Sequence, residues 1–202
     1  MAKRLVPLQF YTRRRFMLER GVVTVFPVVF LAVLFIGGEL SRRRHIDMGG
    51  VVPIRRAPFY ISKFMIVLLW IAMILDAWGV KLSFFTPPAA LKWTAVLIWG
   101  AGFMLLFSGL LKLGHSLRVG LPRESTTLQT GGLYRVSRNP MYLGVYATVL
   151  APVLSTLNPI LLLLGVFVIA VHHRIVLAEE AHLREAFSED YSGYCRRVRR
   201  YL

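Results

Sequence analysis

Apolar residues run along this chain in four or five long windows separated by short basic stretches. Each window approaches the roughly 20 residues a helix needs to cross a bilayer core. The first runs from Gly21 to Leu40 and the second from Phe59 to Val80, with one buried acid, Asp76, near its end. A third extends from Leu91 to about Leu113, and then comes a long polar interval from Gly114 to Asn139. Met141 to Leu157 and Pro159 to Leu177 follow, divided by Leu157-Asn158-Pro159. A short turn between two apolar segments predicts a helical hairpin. In the final stretch, Ala178 to Leu202, Leu183, Phe187, Tyr191, Tyr194 and Val198 recur at steps of three and four among charges. That spacing predicts an amphipathic helix lying on the protein or the membrane. The expected fold is all-α: a polytopic membrane helical bundle of about five transmembrane helices, with a C-terminal helical hairpin and an amphipathic cytoplasmic helix.

Composition supports lipid as the solvent. Hydrophobic residues make up 56% of the 202 positions and charged residues 17%, against roughly 45–50% and 25% in soluble domains. One folding domain is expected, with N-terminal transmembrane helices over 1–112 on the lipid and substrate side. Residues 113–202 are expected to form a catalytic region: a ligand loop over 114–142, the hairpin over 141–178 and the C-terminal helix over 179–202. The net charge of +15 raises nucleic acid as a partner. Its placement argues against that, because Arg13 to Arg15, Arg42 to Arg44, Arg55, Arg56 and Arg196 to Arg200 flank apolar windows, where basic residues meet anionic headgroups. A membrane with anionic lipids is therefore the expected partner, and oligomeric state is left open.

Orientation follows from the same residues. The stretches around Arg42 to Arg56 and Arg118 to Arg138 and the C-terminal tail are rich in Arg, while the turns near Pro87 and Asn158 carry almost none, so the three basic regions are expected in the cytoplasm. With five spans, Lys3, Arg4, Arg13, Arg14, Arg15 and Arg20 then fall outside. Either the first apolar segment does not fully cross, or the other loops outvote it. No cleavable signal peptide is expected, since the first apolar stretch begins only at Gly21. Cys195 is the single cysteine, which excludes an intrachain disulfide and a thiolate metal cluster.

Polar residues bordering membrane spans are functional candidates by default. One group is Thr126-Thr127-Leu128-Gln129-Thr130-Gly131-Gly132-Leu133-Tyr134, running on to Arg138-Asn139-Pro140-Met141-Tyr142. Its paired glycines permit close backbone approach, and Pro140 suits a first helical position. A second group is His172-His173-Arg174 with Glu179-Glu180. Arg174 and Glu179 are expected close to one side of a helix, lining one pocket, or else paired in a structural salt bridge. Adjacent histidines point about 100° apart and cannot chelate one ion together, so no metal is expected.

In order and spacing these pieces resemble the isoprenylcysteine carboxyl methyltransferase and phospholipid methyltransferase group across roughly the last 90 residues. The resemblance rests on Leu113-Gly114, on Leu128, Gly132 and Tyr134, and on Arg138-Asn139-Pro140 with Tyr142 and Gly144. It continues through Glu179-Glu180, Leu183, Phe187, Tyr191, Tyr194, Val198 and Arg200. Two positions depart from the pattern: the group has Arg-His-Pro where this chain has Arg138-Asn139-Pro140, and Phe-Gly where it has Phe187-Ser188. Asn cannot titrate near neutrality, so an acid-base role for that histidine does not carry over.

The resemblance implies a membrane-integral methyltransferase that uses S-adenosylmethionine and releases S-adenosylhomocysteine. Thr126, Thr127, Leu128, Gln129, Gly132, Tyr134, Arg138, Asn139, Pro140, Met141, Tyr142, Glu179 and Glu180 would hold the cofactor. Glu179 would meet its ammonium group and Arg174 would orient the acceptor, an anion that a guanidinium can grip with parallel hydrogen bonds. The acceptor, a lipophilic carboxylate, amine or thiol, is not named by the sequence. Localisation would be the membrane, the inner membrane if bacterial, with a cytoplasmic catalytic face. Two alternatives stand beside this reading. Asn139-Pro140-Met141-Tyr142-Leu143-Gly144 is similar to an element of the NADPH-dependent sterol reductases, and a non-catalytic membrane scaffold would need none of these residues.

Overall fold

This computed structural model describes residues 8–43, 52–113 and 128–202, with the side chains of 8–18 and 41 outside the description. Five α-helices follow in order: α1 (Leu8–Arg43), α2 (Arg56–Ala77), α3 (Ala89–Leu113), α4 (Pro140–Thr156) and α5 (Pro159–Arg197). A short 3-10 turn, Gly132–Arg135, precedes α4. Among the described residues there is no strand, so the all-α expectation holds. Four helices, α1 over Glu19–Leu40, α2, α3 and α5, are long and apolar enough to cross a membrane. The fifth, α4, has 17 residues and so spans about 25 Å, a turn short of a bilayer core of about 30 Å.

Helix ends follow local chemistry. The second apolar window was expected to run to Val80, but α2 stops at Ala77 because Gly79 takes φ 94°. Val80 N–H then donates to Leu75 O at 2.9 Å and Gly79 N–H to Asp76 O at 3.0 Å, closing the helix as a glycine C-cap does. The hairpin appears where Leu157-Asn158-Pro159 placed it. Leu157 ends α4 at φ 49°. Asn158 Oδ1 caps α5 by accepting from Ile160 and Leu161 N–H, while its amide donates to Leu82 O at 2.7 Å.

The core sits between α1, α2, α3 and α4. Trp70, Trp99 and Phe103 are buried and meet at ring-centroid distances of 4.9–6.3 Å, and Phe30 of α1 packs edge-on against Trp70 and Phe103. Helices α3 and α4 come close enough that a Cβ on Gly102 would stand 2.8 Å from Thr148, and one on Gly144 would stand 2.8 Å from Gly102 O. Small residues at such crossings let backbones approach where lipid supplies no hydrophobic drive. Phe35, Leu97, Leu111 and Leu163 point outward and exposed, as the lipid-facing surface of a bundle requires.

The first segment runs the full length of the bundle. Arg20 Nε donates to Ala77 O at 3.2 Å, and Trp78 Nε1 donates to Thr24 Oγ1 at 3.0 Å. The start of the apolar part of α1, at Arg20 and Thr24, therefore lies beside the end of α2, at the same end as the turn at Asn158. The opposite end gathers the C-termini of α1 and α3, the N-termini of α2 and α4, and the outer half of α5. That is the end where the candidate site lies.

Two expectations about the C-terminus are corrected. The break between the last span and the C-terminal helix falls at a kink at Ser188 (φ 42°, ψ −109°) inside α5, and not before Glu179 as expected. The helix also stops at Arg197, and Val198 turns extended, because the last residues pair with the end of the loop before α4.

Candidate functional site

Glu179 and Glu180 are neighbours on α5, just past the apolar stretch that ends at Leu177, and they have opposite surroundings. Glu180 is buried. Its Oε1 accepts from Arg138 Nε (3.2 Å), Arg138 Nη2 (3.0 Å) and Asn139 Nδ2 (3.1 Å). Its Oε2 accepts from Arg200 Nε (3.0 Å) and Nη2 (2.9 Å), and from Arg138 Nη2 (3.2 Å). A carboxylate has about four lone-pair directions, so this one is saturated. Burial pushes its pKa up, but the hydrogen bonds from Arg200 and Arg138 outweigh that and hold it below the usual value.

The same knot finishes the helix. Arg138 Nη1 donates to the carbonyls of Val198 (2.8 Å) and Cys195 (3.4 Å), two of the carbonyls left open at the end of α5. Arg138 N–H donates to Arg199 O at 2.9 Å, and Asn139 Nδ2 and Ser137 Oγ both donate to Arg200 O at 3.2 Å. Tyr194 OH donates to Tyr134 O at 2.6 Å. Arg138, Asn139 and Glu180, expected to hold cofactor, are thus spent on each other and on the tail. Asn139 needs two N–H donors from one nitrogen, which an imidazole cannot offer, so the departure from Arg-His-Pro is a structural one. Ser188, the other departure, holds the positive φ that a glycine would hold without strain.

Glu179 faces the other way. Tyr142 OH donates to its Oε1 at 2.7 Å, and no ion pair reaches the carboxylate among the described residues. Burial raises its pKa against the lowering effect of the Tyr142 hydrogen bond and the Lys63 charge. Tyr134 stands close enough that burial and the Glu179 charge push its phenol up to about 12. Leu128, Gln129 and Tyr134 are half-buried, and Gly132 turns with φ 62° at the start of the 3-10 turn. Pro140 opens α4 as its first helical residue, with Met141 and Tyr142 half-buried after it. A desolvated carboxylate that joins no ion pair among the described residues, beside a hydrogen-bonding phenol, can take the ammonium group of a methionine-type cofactor. Thr126 and Thr127, the start of the expected binding stretch, lie outside the described residues.

Arg174 is not brought to Glu179. It is exposed, and five residues turn a helix by about 140°. The expectation that the two line one pocket is corrected by that rotation. The cation that does approach is Lys63 of α2, which gave no sequence signal because nothing in one helix states which face meets another. It is half-buried, with Nζ 5.2 Å from the Phe59 ring centroid, and its charge acts on both Glu179 and His172. The paired histidines diverge as their spacing required. His172 faces inward against Tyr142, ring centroids 6.1 Å apart, and His173 bonds Tyr201 OH at 2.7 Å, which in turn meets Tyr146 OH at 3.1 Å.

Comparison with known proteins adds one finding. The phospholipid methyltransferase family profile matches residues 90–190, from α3 through the loop and hairpin to beyond the kink in α5. Searches of the curated proteins and of the solved structures return no match. The matched segment holds Tyr134, Arg138, Tyr142, Glu179 and Glu180, and with its apolar helices the chain belongs to the phospholipid methyltransferase family as a membrane-integral methyltransferase acting on lipid-like substrates.

Proposed function

We propose that the chain transfers a methyl group from S-adenosylmethionine to a lipophilic acceptor at the cytoplasmic face of the membrane, in the manner of the isoprenylcysteine carboxyl methyltransferases. The observation that carries this reading is Glu179: a desolvated carboxylate at the bundle end, hydrogen-bonded by Tyr142 and in no ion pair among the described residues. Glu179 holds the cofactor ammonium, and Tyr142 fixes the carboxylate for it. Thr126, Thr127, Leu128, Gln129, Gly132 and Tyr134 cover the rest of the cofactor, with Pro140 and Met141 at its floor. Arg138, Asn139 and Glu180 act through the backbone they tie down rather than by contact. When bound, S-adenosylmethionine supplies an electrophilic methyl group on a positively charged sulfur.

The protein's task is then to position and desolvate. Holding acceptor and methyl in line at roughly 3 to 3.5 Å contributes on the order of 7 to 11 kcal/mol without a covalent intermediate. Arg174, exposed at the level where the span ends, meets the anionic part of an acceptor that arrives from the bilayer. Arg42, Arg43, Arg55, Arg56, Arg196, Arg197 and Arg199 are exposed at the same end. Their concentration supports a cytoplasmic site facing anionic lipid. The Asn139-to-Gly144 element shared with sterol reductases is accounted for by the tail knot and the α3–α4 crossing, which removes the particular support for NADPH.

The test is label transfer. The purified protein in native lipid vesicles is incubated with methyl-labelled S-adenosylmethionine, and label is expected in the organic phase. No transfer, together with binding of NADPH in place of S-adenosylhomocysteine, overturns the reading.

A further inference from the structure

Lys63 is a charge inside a span. It lies seven residues past the start of α2 at Arg56, about 10 Å along the helix. Ionisable residues at such a depth are costly and are rarely left without a partner. On α2, Phe59, Ser62 and Ile66 are buried while Tyr60 and Phe64 are exposed, and Lys63 is half-buried between the two sides. A lysine serving only as an anchor would extend past the exposed side to the headgroups. Its head instead turns back one helical turn along the packed side, with Nζ 5.2 Å from the Phe59 ring centroid. Phe59 packs with Val171 and Ile175 of α5, and Tyr142 of α4 lies against that cluster. The ammonium therefore stands where α2 meets α5.

Nothing in the chain balances it there. Lys63 forms no hydrogen bond and no ion pair among the described residues, and a cation over one ring is worth little beside the cost of burying an ammonium. Its charge acts on Glu179, which stands in no ion pair either. Two opposite charges thus face each other across the contact of α2 with α5 without closing. A ligand that carries opposite charges side by side serves both, and the amino-acid end of the proposed cofactor has its ammonium and carboxylate on one carbon. Wherever Glu179 holds the ammonium, the carboxylate lies beside it and needs a cation. Arg138 and Arg200 are committed to Glu180, and Arg174 is exposed and turned away. Lys63 is the cation that remains near Glu179 among the described residues.

We propose that Lys63 binds the carboxylate of the cofactor's amino-acid end while Glu179 binds its ammonium, so that two facing helices read a zwitterion. The assignment lies outside the family profile, which begins at residue 90. It makes α2 part of the cofactor site, whereas residues 1–112 were expected on the lipid and substrate side. It also sets a specificity, because a decarboxylated cofactor leaves Lys63 as it stands, without a counter-charge. The four-carbon stem of lysine lets the ammonium follow the carboxylate without a shift of the helix.

The inference rests on the proposed methyltransferase site, and its test separates the two. Wild type and Lys63→Met in mixed lipid micelles are titrated by calorimetry with S-adenosylhomocysteine and with its decarboxylated counterpart, which keeps the ammonium and lacks the carboxylate. Met keeps the length of the stem and removes the charge. Wild type is expected to prefer S-adenosylhomocysteine by about 10- to 100-fold, the worth of a charge-assisted contact. Lys63→Met should lose that factor for S-adenosylhomocysteine and bind the decarboxylated ligand as wild type does, so that the preference disappears. A variant with wild-type affinity for S-adenosylhomocysteine overturns the role of Lys63 and leaves the methyltransferase reading intact, all the more if its KM for the lipid acceptor rises. An equal loss for both ligands overturns it too, since that marks a structural lysine. Where Lys63→Met does not fold, the wild-type comparison decides alone, and equal affinity for the two ligands refutes a carboxylate contact. A wild type that binds neither ligand overturns both.

Discussion

Replacing Glu180 with Ala should be among the most damaging single changes outside the apolar core. It removes a carboxylate that accepts hydrogen bonds from Arg138, Asn139 and Arg200. The Arg138 and Glu180 side chains are 11% and 4% exposed, so the guanidinium would be left in low dielectric without its counter-charge. Breaking such a buried pair costs about 3–5 kcal/mol. The Arg200 arm, 37% exposed, adds little, since exposed pairs contribute about 0–1 kcal/mol. The expected loss is therefore about 3–5 kcal/mol, read by titrating the purified protein in mixed micelles with SDS and following its helical circular dichroism. A loss under about 1 kcal/mol would refute the view that this knot locks the tail. The same group sets an acid limb. Its folded pKa lies below the ordinary glutamate value of 4.5, so its stabilisation is complete above that value and disappears as pH falls through the folded pKa. Wild type should lose more stability on acidification than Glu180→Ala does.

Three further outcomes follow from the packing. Ser188→Gly should raise stability by about 1 kcal/mol, because Gly takes φ 42°, ψ −109° without the cost of about 1–3 kcal/mol that a side chain meets there; a lowered midpoint in the same SDS titration would contradict this. Gly144→Val should cost at least about 1–3 kcal/mol, since its Cβ would stand 2.8 Å from Gly102 O, and an unchanged midpoint would show that the α3–α4 crossing is looser than described. Arg174→Ala should raise KM for the lipid acceptor and leave S-adenosylhomocysteine affinity unchanged, as an exposed residue turned away from Glu179 must; a joint loss would return it to the cofactor pocket.

What the sequence made legible was mostly what lipid dictates. Windows of about 20 apolar residues can only be helices when their backbone must be satisfied internally, so α1, α2, α3, α4 and α5 all lay where hydropathy put them. The turn at Leu157-Asn158-Pro159 was legible because capping is local. Long-range pairing was not. Nothing near Val198 announces that Arg138, some 60 residues earlier, takes its carbonyl, so the tail read as helix to its end. Lys63 sits in an apolar window without a motif, and only the packing of α2 against α5 reveals it. The pairing of Arg174 with Glu179 failed for a simpler reason, since a step of five residues does not return to the same helix face. Glu179 and Glu180 read as one motif, yet the fold gives one to the tail and keeps the other open.

That division is the central claim, and calorimetric titration with S-adenosylhomocysteine tests it most directly. Wild type should bind, and Glu179→Gln, which keeps the shape and the Tyr142 contact but removes the charge, should lose at least about tenfold in affinity, the equivalent of about 1.4 kcal/mol. Wild-type affinity in Glu179→Gln would mean that the cofactor sits elsewhere.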